Sequence, residues 1–272
     1  MRSPPISLRR WIFSLAIHRD LIGRLVAREV SQRFKGSILG IVWAILTPLL
    51  TAAVFTLIFT EVFPQRWPGR SGSSIDFALI MLVGLAVHGV LAEALARAPQ
   101  IVLGNANYVT KVVFPLEVLP AVTTLASLVN LAITLMIVLI GNLAVNGSFH
   151  ATALFLPLVL LPYMVFIAAA VMFVAACGVF LRDIGLIMTP IVMLAMFLSP
   201  MFFPLEAVPE AWRFLVNMNP ITPIMEQLRA VLLFGVWPDF VSLALYLLLA
   251  VISLGVANWV FQRLRPGFAD VL

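Results

Sequence analysis

Few side chains in this sequence could do covalent chemistry, and their spacing shows which reactions are absent. His18, His88 and His150 stand too far apart to make a ligand pattern. The single cysteine, Cys177, excludes an internal disulfide and any multi-cysteine metal site. It sits among small and apolar residues, a setting for packing and not for reactivity. The stretch from Gly104 to Lys111 is only superficially like the G-x-x-x-x-G-K-[ST] phosphate loop, so the chain does not bind nucleotide by that route. Three charged groupings remain. Glu93 and Arg97 stand four apart and can pair on one helix face. Arg182 and Asp183 form a tight charged turn, and Arg33 and Lys35 precede a short stretch holding Gly36, Ser37 and Gly40. Trp43, Phe55, Phe59 and Phe63 follow at spacings of 12, 4 and 4, which puts the three phenylalanines on one face of a helix. What these residues can do is bind, stack and pair charges; the chain is read as a non-enzyme.

The elements that must hold them are membrane helices. The chain has 272 residues, of which 62% are apolar and 11% charged, and its mean hydropathy is +1.10. A soluble domain carries about 25% charged residues, so too little polar surface is present to cover a water-soluble globule. Several uncharged runs exceed the roughly 20 residues that a spanning helix needs. They are continuous, unlike the alternating segments of an outer-membrane barrel. The expected fold is an all-α integral membrane protein with six transmembrane helices, an amphipathic N-terminal interface helix, and re-entrant outer helices between spans five and six.

Along the chain, residues 1–18 mix Arg9 and Arg10 with Trp11, Ile12 and Phe13, as an interfacial segment with an aromatic anchor does. Asp20 is a candidate N-cap for the next helix. In that helix Leu21, Ile22, Leu25, Val26, Val30 and Phe34 recur at helical spacing, while Arg24, Arg28 and Arg33 fall off the stripe. This is the pattern of a helix lying in the membrane surface with its basic side toward anionic headgroups. Gly36 can end it in the left-handed conformation, and Ser37 can cap its successor. Spans are expected at about 38–60 (kinked at Pro48), 76–97, 118–145, 151–180, 185–203 and 240–261. Between the last two, the segment 205–237 reads as two short helices broken by Asn219-Pro220 and Pro223. Its stripe of Ile221, Ile224, Met225, Leu228, Val231 and Leu232 is apolar, with Glu226 and Arg229 on other faces. The chain thus divides into an interfacial region (1–36), a six-helix membrane domain (37–265) and a short tail (266–272).

With the N-terminus inside, 13 Lys and Arg residues fall on the inner segments and 4 on the outer ones. The positive-inside rule therefore puts both termini in the cytoplasm. That distribution accounts for the basic pI without nucleic acid. No charged residue lies near the middle of spans one, three, four, five or six, which argues against a proton- or sodium-coupled carrier. His88 in span two is the polar exception, expected as a packed or pore-facing residue. Movement of a solute uphill would need energy from another subunit acting on the cytoplasmic loops.

In order, the motifs RFKGSILGIVWAILTPLL, LGNANYVTKVVFPLEVLP, FLRDIG, FLSPMFFPLEAVPE, MNPITPIMEQLRAVLL and RPGFADVL closely resemble the membrane subunits of ABC exporters for O-antigen, teichoic acid and related lipid-linked polysaccharides. The resemblance runs from about residue 19 to 272. It implies a homodimer in the bacterial inner membrane, paired with two copies of an ATP-binding subunit. ATP and Mg would be bound there, with no cofactor in this chain. It implies that Arg24 and Arg28 of the surface helix, Asn105, Asn107, Tyr108 and Lys111 in a coupling loop at about 98–117, and Arg182-Asp183 meet the ATPase. It implies further that the Gly36–Gly40 turn meets the lipid-linked headgroup, and that 205–237 closes the exit. The family often has a proline and an aromatic where this chain has Val87-His88.

The physics fits. A glycan is too polar to cross lipid, yet its C–H faces stack on aromatic rings, so Trp43, Phe55, Phe59 and Phe63 are candidates to line its path. They serve equally well as packing or lipid-facing groups. Arg33 and Lys35 are placed to donate to a pyrophosphate, or equally to anchor the helix to anionic lipid. Two other readings stay open: a permease of the same class for a small hydrophobic compound, and a channel or scaffold without a motor.

Overall fold

The computed structural model describes residues 8–62, 67, 73–110, 114–147 and 149–271. Every regular element among them is helical. Helix α1 (Leu8–Ile17) and helix α2 (Arg19–Arg33) lead through a turn into a 3-10 turn, Gly40–Val42, and helix α3 (Trp43–Leu57). Gly36 takes φ 84° and Gly40 φ 52°, values that favour glycine at both ends of the turn. Ser37 does not cap α3, because the second left-handed glycine delays the helix to Gly40. Asp20 does not cap α2 either; it falls inside the first turn, after His18 at the cap position.

Helix α4 (Ser74–Arg97) starts where Ser73 Oγ accepts from the Asp76 amide (3.1 Å), and it continues as a 3-10 turn, Ala98–Gln100. Helix α5 (Ala106–Thr110) is a single turn. Helix α6 (Val118–Asn146) ends on Gly147 at φ 69°. A 3-10 turn, Ala151–Phe155, leads to helix α7 (Leu156–Phe180), and helix α8 (Ile184–Phe197) follows. Helices α9 (Glu210–Met218) and α10 (Thr222–Arg229) form a short hairpin. Helix α11 (Phe240–Leu264), capped by Asp239 accepting from the Val241 and Ser242 amides, is followed by helix α12 (Phe268–Val271).

Five stretches among the described residues are long and apolar enough to cross a membrane: Gly40–Glu61, Ser74–Gln100, Val118–Asn146, Ala151–Phe180 and Phe240–Val271. These match five of the six expected spans closely. The other, expected at 185–203, stops at Phe197 after 14 residues. At 1.5 Å per residue that is about 21 Å, against a hydrocarbon core of about 30 Å. Pro200 ends it: a proline cannot donate to the next turn, and the residue before it is pushed out of the helical region. Asn219-Pro220 breaks the hairpin as expected, but Pro223 does not. It sits in the first turn of α10, where a missing N–H is no loss.

Helix α4 is the axis of the bundle, buried for most of its length against α6, α7, α8 and α10. Tyr163 of α7 is fully buried and donates to the Val87 carbonyl of α4 at 2.7 Å. Tyr163→Phe should lower stability by about 1 kcal/mol, read as a modest fall in the thermal midpoint of the detergent-solubilised protein; an unchanged midpoint would show that the bond contributes nothing net. Helix α3 and helix α11, by contrast, expose most of their apolar side chains.

The apolar stripe of α2 lies on protein. Ile22 packs with Val118 and Val122 of α6, flanked by Leu25 and Val26. Trp11, expected as a headgroup anchor, is buried and donates from Nε1 to the Glu117 carbonyl (3.3 Å). The Glu117 carboxylate, itself buried, accepts from Ser14 Oγ (3.4 Å) and pairs with Arg265 (3.1 Å). Phe268 is fully buried against Phe261 and Phe180. Both ends of the chain therefore meet at the start of α6. We call this the termini end of the bundle.

Candidate functional site

At the termini end, four charges from two helices form one network. Arg33 at the end of α2 pairs with Glu93 of α4. One turn further along α4, Arg97 donates to Glu29 of α2 at 2.9 Å and lies 3.8 Å from Glu93. Asn130 of α6 donates to the second Glu93 oxygen at 2.9 Å. The expected Glu93–Arg97 pair is thus present but secondary; Arg33 is the closer partner. The Arg33 side chain is only 9% exposed. Burial pushes its guanidinium below the ordinary arginine value, and Glu93 opposes that shift. Sequence spacing could not find this pairing, because the partners lie 60 residues apart on different helices.

Beside the network a cavity of about 410 Å³ opens toward α3, lined by Arg33, Trp43, Thr47, Thr51, Glu93 and Asn130 among others. Lys35 and Ser37 lie exposed at the turn next to it, and Trp43 is 42% exposed. A polar floor and an aromatic wall therefore share one space at the foot of α3. Of the two cations set beside the turn, Lys35 is free to solvent and Arg33 is already engaged.

A second cleft, about 390 Å³, lies between α2, the end of α4, α5 and the start of α6. It brings together several of the expected coupling residues. Arg28 reaches the Tyr108 hydroxyl (3.5 Å), Tyr108 stacks on Phe114 with ring centroids 4.5 Å apart, and Asn105 donates to the Ile101 carbonyl (2.8 Å). Arg24 and Asn107 are exposed. Arg182 and Asp183 are exposed in the turn between α7 and α8, apart from this cleft. Lys111 lies outside the described residues.

At the opposite end, the aromatics of α3 pack against neighbouring rings. Phe55 and Phe59 both contact Phe202, with ring centroids at 5.1 and 5.2 Å. Phe77 of α4 adjoins Phe59 at 6.1 Å, and Trp67 adjoins Phe77 at 6.2 Å. Phe63 lies outside the described residues. Over Trp67, 4.7 Å from the ring centroid, sits the guanidinium of Arg229. This residue was expected off the apolar face of α10, and the structure corrects that: it is fully buried. Its place four residues after Met225 and three before Leu232 puts it on the stripe itself, a spacing signal outweighed by its charge. His88 donates from Nε2 to the Val192 carbonyl (3.2 Å), tying α4 to α8 as a packed residue.

The resulting outline is a helical bundle with a charged, cleft-bearing end and an end where aromatic rings cluster. Residues 20–233 match a family model described as "ABC-2 type transporter". The chain belongs to that family. Among curated relatives of this ABC-2 permease, the "O-antigen export system permease protein RfbA" of Myxococcus xanthus is 28% identical over 263 residues, covering 96% of this chain and 98% of that protein. A protein of the same name from Klebsiella pneumoniae is 22% identical over 203 residues, 72% of this chain and 76% of its own length. ABC-2 permeases are membrane proteins, and the five long apolar helices agree with that.

Proposed function

We propose that this ABC-2 permease is the transmembrane subunit of an ATP-driven exporter that moves a lipid-linked polysaccharide, of O-antigen type, out of the cytoplasm. The observation that carries this reading is the likeness to an O-antigen export permease over almost the full length of both chains. In the cell it works in the bacterial inner membrane as a homodimer with two copies of an ATP-binding subunit, both termini cytoplasmic. Helix α8, too short to span alone, crosses together with the Leu198–Pro204 stretch as the fifth of six spans, and α9–α10 re-enters from outside.

The geometry supports a division of labour. The cleft between α2, α5 and α6 is where Arg28, Asn105 and Tyr108 receive the ATPase, with Lys111, Arg182 and Asp183 completing the contact. ATP and Mg are held in that partner. Because the ion pairs of Arg33 and Arg97 join α2 to α4, a push on α2 is passed to the axis of the bundle. Lys35, Ser37 and the turn between Gly36 and Gly40 meet the anionic headgroup beside the cavity at Trp43, where a carbohydrate ring can stack. Export here is binding and movement, so the chain needs no catalytic residue of its own.

The deciding experiment deletes the gene and follows glycan attached to the polyprenyl carrier. Accumulation inside, with loss from the surface and recovery on complementation, is the expected result. Normal surface glycan with none retained would sink the reading. A drug-sensitivity phenotype in its place would favour export of a small hydrophobic compound.

A further inference from the structure

Arg229 is a cation sealed in the apolar far end of the bundle, and its contacts join three separate pieces of chain. Nη1 donates to the Pro200 carbonyl (2.6 Å) and to Glu226 (2.8 Å). Nη2 reaches the Met201 carbonyl (3.4 Å) and the Ile80 carbonyl of α4 (3.5 Å). Pro200 and Met201 lie in the irregular stretch after α8, outside any regular helix, and their carbonyls accept from this side chain. Helix α4 makes room with Gly84: a Cβ there would stand 3.2 Å from Nη2 and 3.2 Å from the Met201 side chain. Trp67 closes the far side with its ring face, and Phe202, the centre of the aromatic cluster, is the residue next to Met201.

A buried guanidinium is costly unless several fixed acceptors hold it. Here most of those acceptors are main-chain carbonyls of segments that no regular hydrogen-bond ladder connects. They are satisfied together only while α10, the turn after α8 and α4 keep this one arrangement. Moving the α9–α10 hairpin away would carry Glu226 along but lose the Pro200, Met201 and Ile80 carbonyls together, so the contact favours two states over a continuum.

We propose that Arg229 is a positioning residue for the external gate: it pins the α9–α10 hairpin and the Pro200–Phe202 turn to α4, and so holds the aromatic cluster across the end of the passage until ATP turnover releases it. This rests on the export reading given above, and it adds which residue keeps the outer end closed.

The test uses the full permease–ATPase complex in proteoliposomes, with Cys177→Ser leaving no native thiol in the permease, whose labelling is read separately from the partner's. Ser199→Cys is a near-isosteric reporter at a fully buried position beside Pro200, and Ser127→Cys is a matching control buried in α6. Each is labelled with a membrane-impermeant maleimide, with and without ATP. With Arg229 intact, labelling at 199 should be slow without ATP and faster with it. With Arg229→Met, labelling without ATP should rise about tenfold, as expected when a charged set of hydrogen bonds no longer opposes local opening. The ATP dependence at 199 should disappear, while position 127 stays unchanged. Arg229→Lys, which cannot reach all the carbonyls at once, should fall between. Gly84→Ala displaces the guanidinium tip without removing it, and it decides the matter if Arg229→Met does not assemble. Slow, ATP-dependent labelling at 199 in a folded Arg229→Met or Gly84→Ala complex overturns the proposal while leaving the export reading intact. Absence of any ATP effect at 199 in the parent complex also overturns the proposal, while the export reading stands or falls on the deletion experiment.

Discussion

Glu93→Ala is expected to cost about 3 kcal/mol or more, the range found when one partner of a buried ion pair is removed. The carboxylate holds Arg33 and accepts from Asn130. Without it a guanidinium nine-tenths buried keeps its charge and loses its counter-charge, and α2 loses its tightest tie to α4. The measurement is the thermal midpoint of the solubilised protein, with recovery of the ATPase complex as a second readout. The control is the double variant Arg33→Met, Glu93→Leu. If the loss comes from stranding a charge, that variant should regain much of the stability, because an apolar pair of similar volume avoids the desolvation cost. Its export should still fail if these pairs carry motion from α2 to the bundle. A single variant that melts with the parent protein would show that the pair is solvated, not structural.

Gly178→Ala should destabilise by about 2 kcal/mol, as overpacking at a rigid contact does. A Cβ at 178 would lie 2.8 Å from the Pro99 Cα and 2.9 Å from its carbonyl oxygen. Both are main-chain atoms, so relief requires moving the turn after α4 bodily. That turn opens the segment leading to α5 and its cleft. The loss of stability should therefore come with a shift in ATPase coupling when the partner subunit is present. Gly255→Ala in α11 is the control: its Cβ would meet open space, and alanine's better helix propensity should leave the midpoint equal or slightly higher. Equal midpoints for the two variants would remove the claim of close approach at Gly178.

Periodicity and punctuation made much of this fold legible. Long apolar runs set five spans to within a few residues, and Gly36, Gly147 and Pro220 mark stops where the backbone needs them. Ile221, Ile224, Met225, Leu228, Val231 and Leu232 are all buried, as their stripe implied. The missed features have a common cause. Arg33 and Arg229 are charged, and charge alone sent each toward solvent or a headgroup. Arg33 is instead held by a side chain on another helix, more than fifty residues away, and Arg229 by Glu226 together with main-chain carbonyls of distant segments. Main-chain carbonyls in the irregular stretch after α8 leave no mark on hydropathy, so the expected span ran on to 203, and neither the stop at Phe197 nor the arginine that fills the gap was legible. The aromatic face of α3 was legible as a face. Its packing on Phe202 was not, because that ring arrives from a segment that follows no helical period.

The carboxylate of Glu117 has a consequence for how the molecule is made. Ser14 reaches it from 103 residues upstream, where Trp11 also holds the Glu117 main-chain carbonyl, and Arg265 reaches it from 148 residues downstream. The ribosome supplies the first two contacts long before the last, since synthesis runs N-terminal first at about 5–20 residues per second. Until Arg265 emerges, a nearly finished chain carries the Glu117 carboxylate without its cation. The termini end can therefore reach its final state only after synthesis has passed that arginine. A chain cut short within α11 would lack the ion pair that joins the end of α11 to the start of α6.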